Sequence, residues 1–299
     1  MIEMQGKWKP LRSAVDMHIH IGPDAVERYY DSIDLAQDAA ELGMKAVVIK
    51  DQLCPTYFKA KLSEKFIRKE YPDFRVFGSI VLNEPCGGLS PRSVAYALKC
   101  GAKVVWLPTV DAAYCYQKGM SGHWIKRVND RNTFRNQNPQ YTIIDADGNA
   151  TETIKDIMQL IRAADAVLAT GHVSPAECIA LLKANQSIGC KVVVTHPNLW
   201  FDDYTVELLE QMVALGAYLE MTSGGLTPNR GHGDIYEMVD VIKKIGPEHC
   251  TLATDAGAAD CCAPPENLRG FCYMLRNCGL TEEEIELMAQ KNPSKLLGI

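Results

Sequence analysis

The sequence predicts an α/β fold. Eight short apolar runs rich in β-branched residues alternate with amphipathic helical patterns, and the alternation holds through all 299 residues. Runs that are apolar throughout, rather than at every second residue, suit strands covered on both faces and therefore a parallel sheet. Eight βα units in this length are the pattern of a (β/α)8 TIM barrel, whose active site lies at the C-terminal ends of the strands.

In chain order, the strands are expected at residues 14–19, 46–49, 75–82, 103–107, 166–169, 191–195, 217–221 and 251–254. Helical patterns lie between them at 32–42, 91–100, 153–164, 175–187, 206–215 and 235–245, several ending in Gly as helix C-termini do. One stretch breaks the rhythm. Residues 111–150, after the fourth strand, are polar with little helical period, and so long an irregular segment inside a compact domain is often functional. Over a barrel mouth it reads as a lid or subunit-contact element carrying His123, Trp124, Arg127, Arg131 and Arg135. No repeat or linker divides the chain, so 1–299 is expected as a single barrel domain with 111–150 inserted.

Composition excludes several function classes. Net charge is −6 with both signs mixed, and no basic run offers itself to phosphates, which argues against a nucleic-acid partner. No apolar stretch reaches the ~20 residues needed to cross a bilayer. Residues 1–12 lack the apolar core of a secretory signal. The eleven scattered cysteines then read as reduced thiols of a cytoplasmic protein, mostly packed in the core, with Cys261 and Cys262 expected near the site. The expected partner is a small-molecule substrate, with a homo-oligomer left open.

Four phrases close strand-like runs: Asp16-Met17-His18-Ile19-His20, Thr170-Gly171-His172, Thr195-His196-Pro197 and Thr254-Asp255-Ala256. Side chains two apart on a strand share a face, so His18 and His20 project together. Neutral imidazoles and a carboxylate are the ligands of a catalytic zinc-type site. A metal-dependent hydrolase is therefore the leading reading. Asp255 by itself also reads as a helix N-cap. His249, before the eighth strand, reads as a buried, hydrogen-bonded core histidine.

These phrases, taken with Asn292-Pro293-Ser294-Lys295-Leu296-Leu297-Gly298 near the C-terminus, resemble the amidohydrolase superfamily of metal-dependent hydrolases. The resemblance runs from about Ser13 to Ile299 and keeps the strand order. It implies His18 and His20 as the first-strand ligand pair and His172 as the fifth-strand ligand. It implies His196 as the sixth-strand residue that binds a second metal or orients the attacking water. Asp255 would be the eighth-strand carboxylate that touches the metal and takes the water's proton. The chain departs from the binuclear pattern at strand four, where Val105-Trp106-Leu107-Pro108-Thr109 holds no bridging Lys or Glu.

Lys50, closing the second strand, neighbours the first-strand pair. An amine there is repelled by a metal unless it is carbamylated, deprotonated or answered by an anionic substrate; the alternative is a solvated strand-end lysine. Arg28, Arg230 and His232 are candidate substrate contacts on the loops after strands one and seven, with arginine suited to a carboxylate. Trp106, Trp124 and Trp200 are candidates to line a pocket, Trp106 equally a core residue.

The expected chemistry is activation of water, by one metal or two, for attack on a small polar amide, ester or lactone. Zinc is favoured, with Mn, Fe or Co as alternatives, and Asp255, His196 and Lys50 as catalytic groups. A metal-dependent decarboxylase on the same scaffold and a non-catalytic metal-binding barrel are the competing readings.

Overall fold

A computed structural model describes residues 8–119, 140–227 and 233–299. Its centre is one sheet of eight parallel strands in sequence order: β1 Val15–His20, β2 Ala46–Lys50, β3 Arg75–Val81, β4 Ala102–Trp106, β5 Val167–Ala169, β6 Lys191–Val194, β7 Ala217–Thr222 and β8 Cys250–Ala253. Each expected run holds a strand, and the (β/α)8 barrel stands. The register places His20 beside Lys50 on β1 and β2, and Trp106 beside Ala169 on β4 and β5, with shifts between Asp16 and Ile19 and between Gly78 and Ser79.

Between β8 and β1 the barrel is closed by backbone and side chain. Asp255 N–H donates to His18 O at 2.9 Å and His20 N–H to Ala256 O at 2.8 Å. Below these, the buried Asp16 carboxylate accepts from Thr254 Oγ1 at 2.6 Å and from the His18 amide at 3.0 Å. Burial pushes Asp16 up to about 7, while the Thr254 hydroxyl, the backbone donors and the His18 charge oppose the shift.

The strands are apolar because both faces are covered. A small interior cluster including Val15, Met17, Val48, Val104, Val167 and Val193 fills the barrel, and a larger layer packs between sheet and helices. The helices before the inserted segment are α1 Ser32–Glu41, α2 Tyr57–Ile67 and α3 Pro91–Lys99. After α4 Ala113–Gln117 come α5 Glu152–Ala163, α6 Pro175–Ile188, α7 Val206–Ala214, α8 Ile235–Ile245 and α9 Pro264–Asn277, then α10 Glu282–Glu286 and α11 Asn292–Leu297. Helix α6 shows the local logic: Pro175 opens it, Ser174 and Glu177 form a capping box, and Gly189 closes it at φ 76°.

Helices α2 and α9 were not among the expected segments. Helix α2 carries Phe58, Leu62 and Phe66 outward, which blurs its helical period. The described edges of the inserted segment carry regular structure, in line with the partial order its aromatic stretches suggest. Helix α4 spans Ala113–Gln117, and bridges join Ala112 to Tyr141 and Ile144 to Ala150. His123, Trp124, Arg127, Arg131 and Arg135 lie outside the described residues. His249 is not a core histidine: it sits in a surface turn with its side chain 42% exposed, 3.8 Å from Glu248. None of the eleven cysteines is in a disulfide; six are buried, with Cys262 exposed and Cys261 partly so. No helix among the described residues is long and apolar enough to cross a membrane.

Candidate metal centre

At the C-terminal mouth of the barrel, His18, His20 and Asp255 bring one ligand atom each to within 4.8 Å of one another. The two histidines share the inner face of β1, as period-2 alternation requires. Asp255, just past β8, reaches between them: its Oδ1 is 3.0 Å from His18 Nε2 and 3.1 Å from His20 Nε2. Its backbone is left-handed, φ 51°, and no helix follows it directly, since α9 begins at Pro264 after Ala263. Asp255 is therefore no N-cap. Left-handed non-Gly residues are costly and gather at functional sites, and His196 at φ 31° is another at this mouth.

A residue outside the sequence reading completes His18. Glu220, buried on β7, accepts from His18 Nδ1 at 2.9 Å. With Nδ1–H pointed at a carboxylate, Nε2 is the nitrogen that faces Asp255 and the site, the arrangement that carboxylates impose on metal-binding histidines. The available signal was a charge in the middle of an otherwise apolar strand, Leu219-Glu220-Met221.

Lys50 is inside the site rather than at a solvated strand end. It is 1% exposed, with Nζ 2.9 Å from His18 Nε2 and 5.1 Å from the Trp106 ring centre. Burial lowers it to about 8 against the pull of Asp255 and Glu220. Burial and Lys50 also act to lower His18, yet the Asp255 and Glu220 carboxylates push it up to about 9. Two cations cannot share a 2.9 Å contact, so Lys50 and His18 compete for one proton that the two carboxylates hold. Desolvation works against the Asp255 carboxylate, but His18 and His20 outweigh it and keep Asp255 well below the usual carboxylate range.

The fifth- and sixth-strand histidines stand beside this group rather than in it. Among the described residues the converging set contains neither. The His196 ring stacks on His18 at 5.8 Å, and the His172 ring lies 5.0 Å from His196. Burial drives both imidazoles down, His196 to about 4, so both are neutral near pH 7. Trp200 meets both rings edge-on at 5.2 and 5.3 Å. His172 turns its Nδ1 to Cys115 Sγ at 3.5 Å. His196 Nδ1 and Trp106 Nε1 are buried without a hydrogen-bond partner among the described residues.

Arg28 lies at the same mouth. Its Nε donates to Asp24 at 2.7 Å, and its Nη2 is 3.4 Å from His20 Nδ1. Burial and Arg28 together hold His20 well below its ordinary value. Arg230 and His232 lie outside the described residues.

A divalent ion fits this donor set. The three ligand atoms converge, the second nitrogen of His18 is fixed by Glu220, and a neutral buried imidazole, His196, keeps an unsatisfied nitrogen alongside.

Comparison with solved structures places the fold among amidohydrolase- and phosphotriesterase-like barrels. An amidohydrolase from Pseudomonas aeruginosa superimposes with a TM-score of 0.63 at 11% identity, covering 96% of this chain and 97% of that one. A phosphotriesterase homology protein from Escherichia coli, complexed with phosphate in its active site, gives 0.57 at 14%, covering 95% and 99%. An N-acetyl-D-glucosamine-6-phosphate deacetylase from Mycobacterium smegmatis gives 0.54 at 16%, covering 96% and 76%. Identities this low speak for the fold alone. No curated protein matches the chain in sequence. Residues 13–220 match a family described as a family of unknown function, DUF6282, and the chain belongs to that family.

Proposed function

We propose that this chain is a metal-dependent hydrolase that activates water for attack on a small polar amide, ester or lactone. The observation that carries the reading is the convergence of His18, His20 and Asp255 at the mouth of the barrel, with His18 pinned from behind by Glu220. The hydrolases among the structural neighbours, a deacetylase and a phosphotriesterase homologue, support it at the level of scaffold. Zinc is the preferred ion for so imidazole-rich a set.

When bound, the ion would supply Lewis acidity, bringing a water's pKa into the neutral range and polarising the carbonyl. The chain's own groups do the rest. Asp255, ionised and acceptor-only, holds the attacking water through its carboxylate, takes the proton as the nucleophile forms and returns it to the leaving group. Glu220 keeps His18 in one tautomer throughout. His196, neutral and with a free Nδ1, orients the substrate oxygen. Lys50 meets an anionic group of the substrate, which would draw its amine away from His18. Arg28 already holds Asp24, so its part is to brace His20 and the β1 loop, with a substrate carboxylate in competition with Asp24 for the guanidinium.

The test is turnover on a panel of small amides, esters and lactones, with and without a carboxylate, before and after chelator treatment. Activity that disappears on stripping and returns with zinc or manganese is expected. Turnover indifferent to chelator, or metal bound with no turnover across the panel, would remove the reading. Release of carbon dioxide would assign the site to a lyase instead.

A further inference from the structure

His172 is held on several sides. Its amide donates to Pro108 O at 2.9 Å, and a Cβ at Gly171, where φ is 59°, would fall 2.3 Å from Leu107 O, so the turn after β5 is pressed onto the exit of β4. Trp200 stands edge-on between the His172 ring and Tyr114, at 5.2 and 5.5 Å. Tyr114 precedes Cys115 on helix α4, and that helix is anchored by Ala113 N–H to Tyr141 O at 2.9 Å and Tyr141 N–H to Asp111 O at 2.8 Å. Cys115, buried, then brings its sulfur to 3.5 Å from His172 Nδ1. Both partners are fixed by backbone before the side chains meet.

The thiol matters because it sits at one nitrogen of a neutral imidazole. If S–H donates, the His172 proton is on Nε2, and neither nitrogen can ligate. If Nδ1–H donates to sulfur, Nε2 keeps its lone pair. We infer that Cys115 is a positioning residue: its sulfur accepts the Nδ1–H of His172 and so presents Nε2 as a lone-pair donor to the metal site. The inserted segment after β4 thereby contributes to the centre through α4. The inference rests on the metal-site reading for its consequence, but not for its measurement.

The tautomer is read directly from two-bond 1H–15N correlations of histidine-labelled, metal-free protein, with His172 assigned by its loss in His172→Gln. The Nδ1–H form is expected in the parent and in Cys115→Ser, which retains an acceptor, and it should give way to Nε2–H in Cys115→Ala and Cys115→Val. Zinc affinity, measured against a chromophoric chelator, should fall by about 10–100-fold in the two apolar variants and recover in the serine variant. Melting temperature checks that each variant is folded, and Cys115→Ala adds no volume if Cys115→Val fails to fold. An Nε2–H tautomer in the parent overturns the inference, as does a tautomer that ignores the substitutions. A sulfur-to-metal charge-transfer band in the cobalt-loaded parent also overturns it, by making Cys115 a ligand. A parent with the Nδ1–H form that binds no metal would leave Cys115 in place and defeat the hydrolase reading instead.

Discussion

His18 Nδ1 lies 2.9 Å from Glu220 Oε2, joining β1 to β7 past the intervening β8 from positions 202 residues apart. The contact sets which nitrogen of His18 meets Asp255, and through it the ligand-binding capacity of the centre. Glu220→Gln keeps shape and hydrogen bonding but removes the charge. Metal affinity should drop by about 10–100-fold with the fold retained, as chelator competition and circular dichroism would record. An unchanged affinity would make Glu220 a packing residue.

Asp255→Asn is nearly isosteric, so the variant should fold. It loses the proton acceptor and weakens the ligand set, and turnover on a validated substrate should fall by at least ~10²-fold. Near-parental turnover would take Asp255 out of the chemistry.

Lys50→Ala separates the roles of the buried amine. The expected result is a higher KM or lower kcat at unchanged metal content, as for an anion-binding group. Loss of a metal equivalent, partly restored by bicarbonate or short carboxylic acids, would show a carbamylated ligand instead. Parental values of metal content, KM and kcat would deny Lys50 any role.

Metal capture should depend on pH. The folded metal-free protein holds His18 at about 9, above its ordinary 6.5. Its proton therefore stabilises that state fully below pH 6.5, and the contribution is lost as pH rises through about 9. The same proton competes with metal for Nε2. Affinity should rise with pH across the neutral range, by up to about tenfold per unit, and level off near pH 9. Isothermal titration at several pH values measures this, and a flat profile contradicts it.

Much of the frame was legible in the sequence. Strands buried on both faces leave continuous apolar runs, and His18, His20, Lys50 and Asp255 close or follow such runs. What was hidden depended on tertiary contact. Glu220 reads as one charge inside a strand until barrel closure brings β7 to within one strand of β1. Cys115 meets His172 only because the segment after β4 folds back on the turn after β5. Lys50 was ambiguous because the charge of a strand-end lysine does not reveal burial; His18 and Trp106 supply that. His249 misled because it immediately precedes the buried strand β8, whereas its own turn faces solvent.

Metal content reports directly on whether the His18, His20 and Asp255 cluster is a metal centre. Protein purified without chelator, alongside His18→Ala, should be subjected to elemental analysis and zinc titration, and the site located by anomalous scattering. About one equivalent of a divalent ion is expected among His18, His20 and Asp255, with its loss in the variant. A parent that carries no metal and neither binds nor responds to added zinc, manganese or cobalt would contradict it.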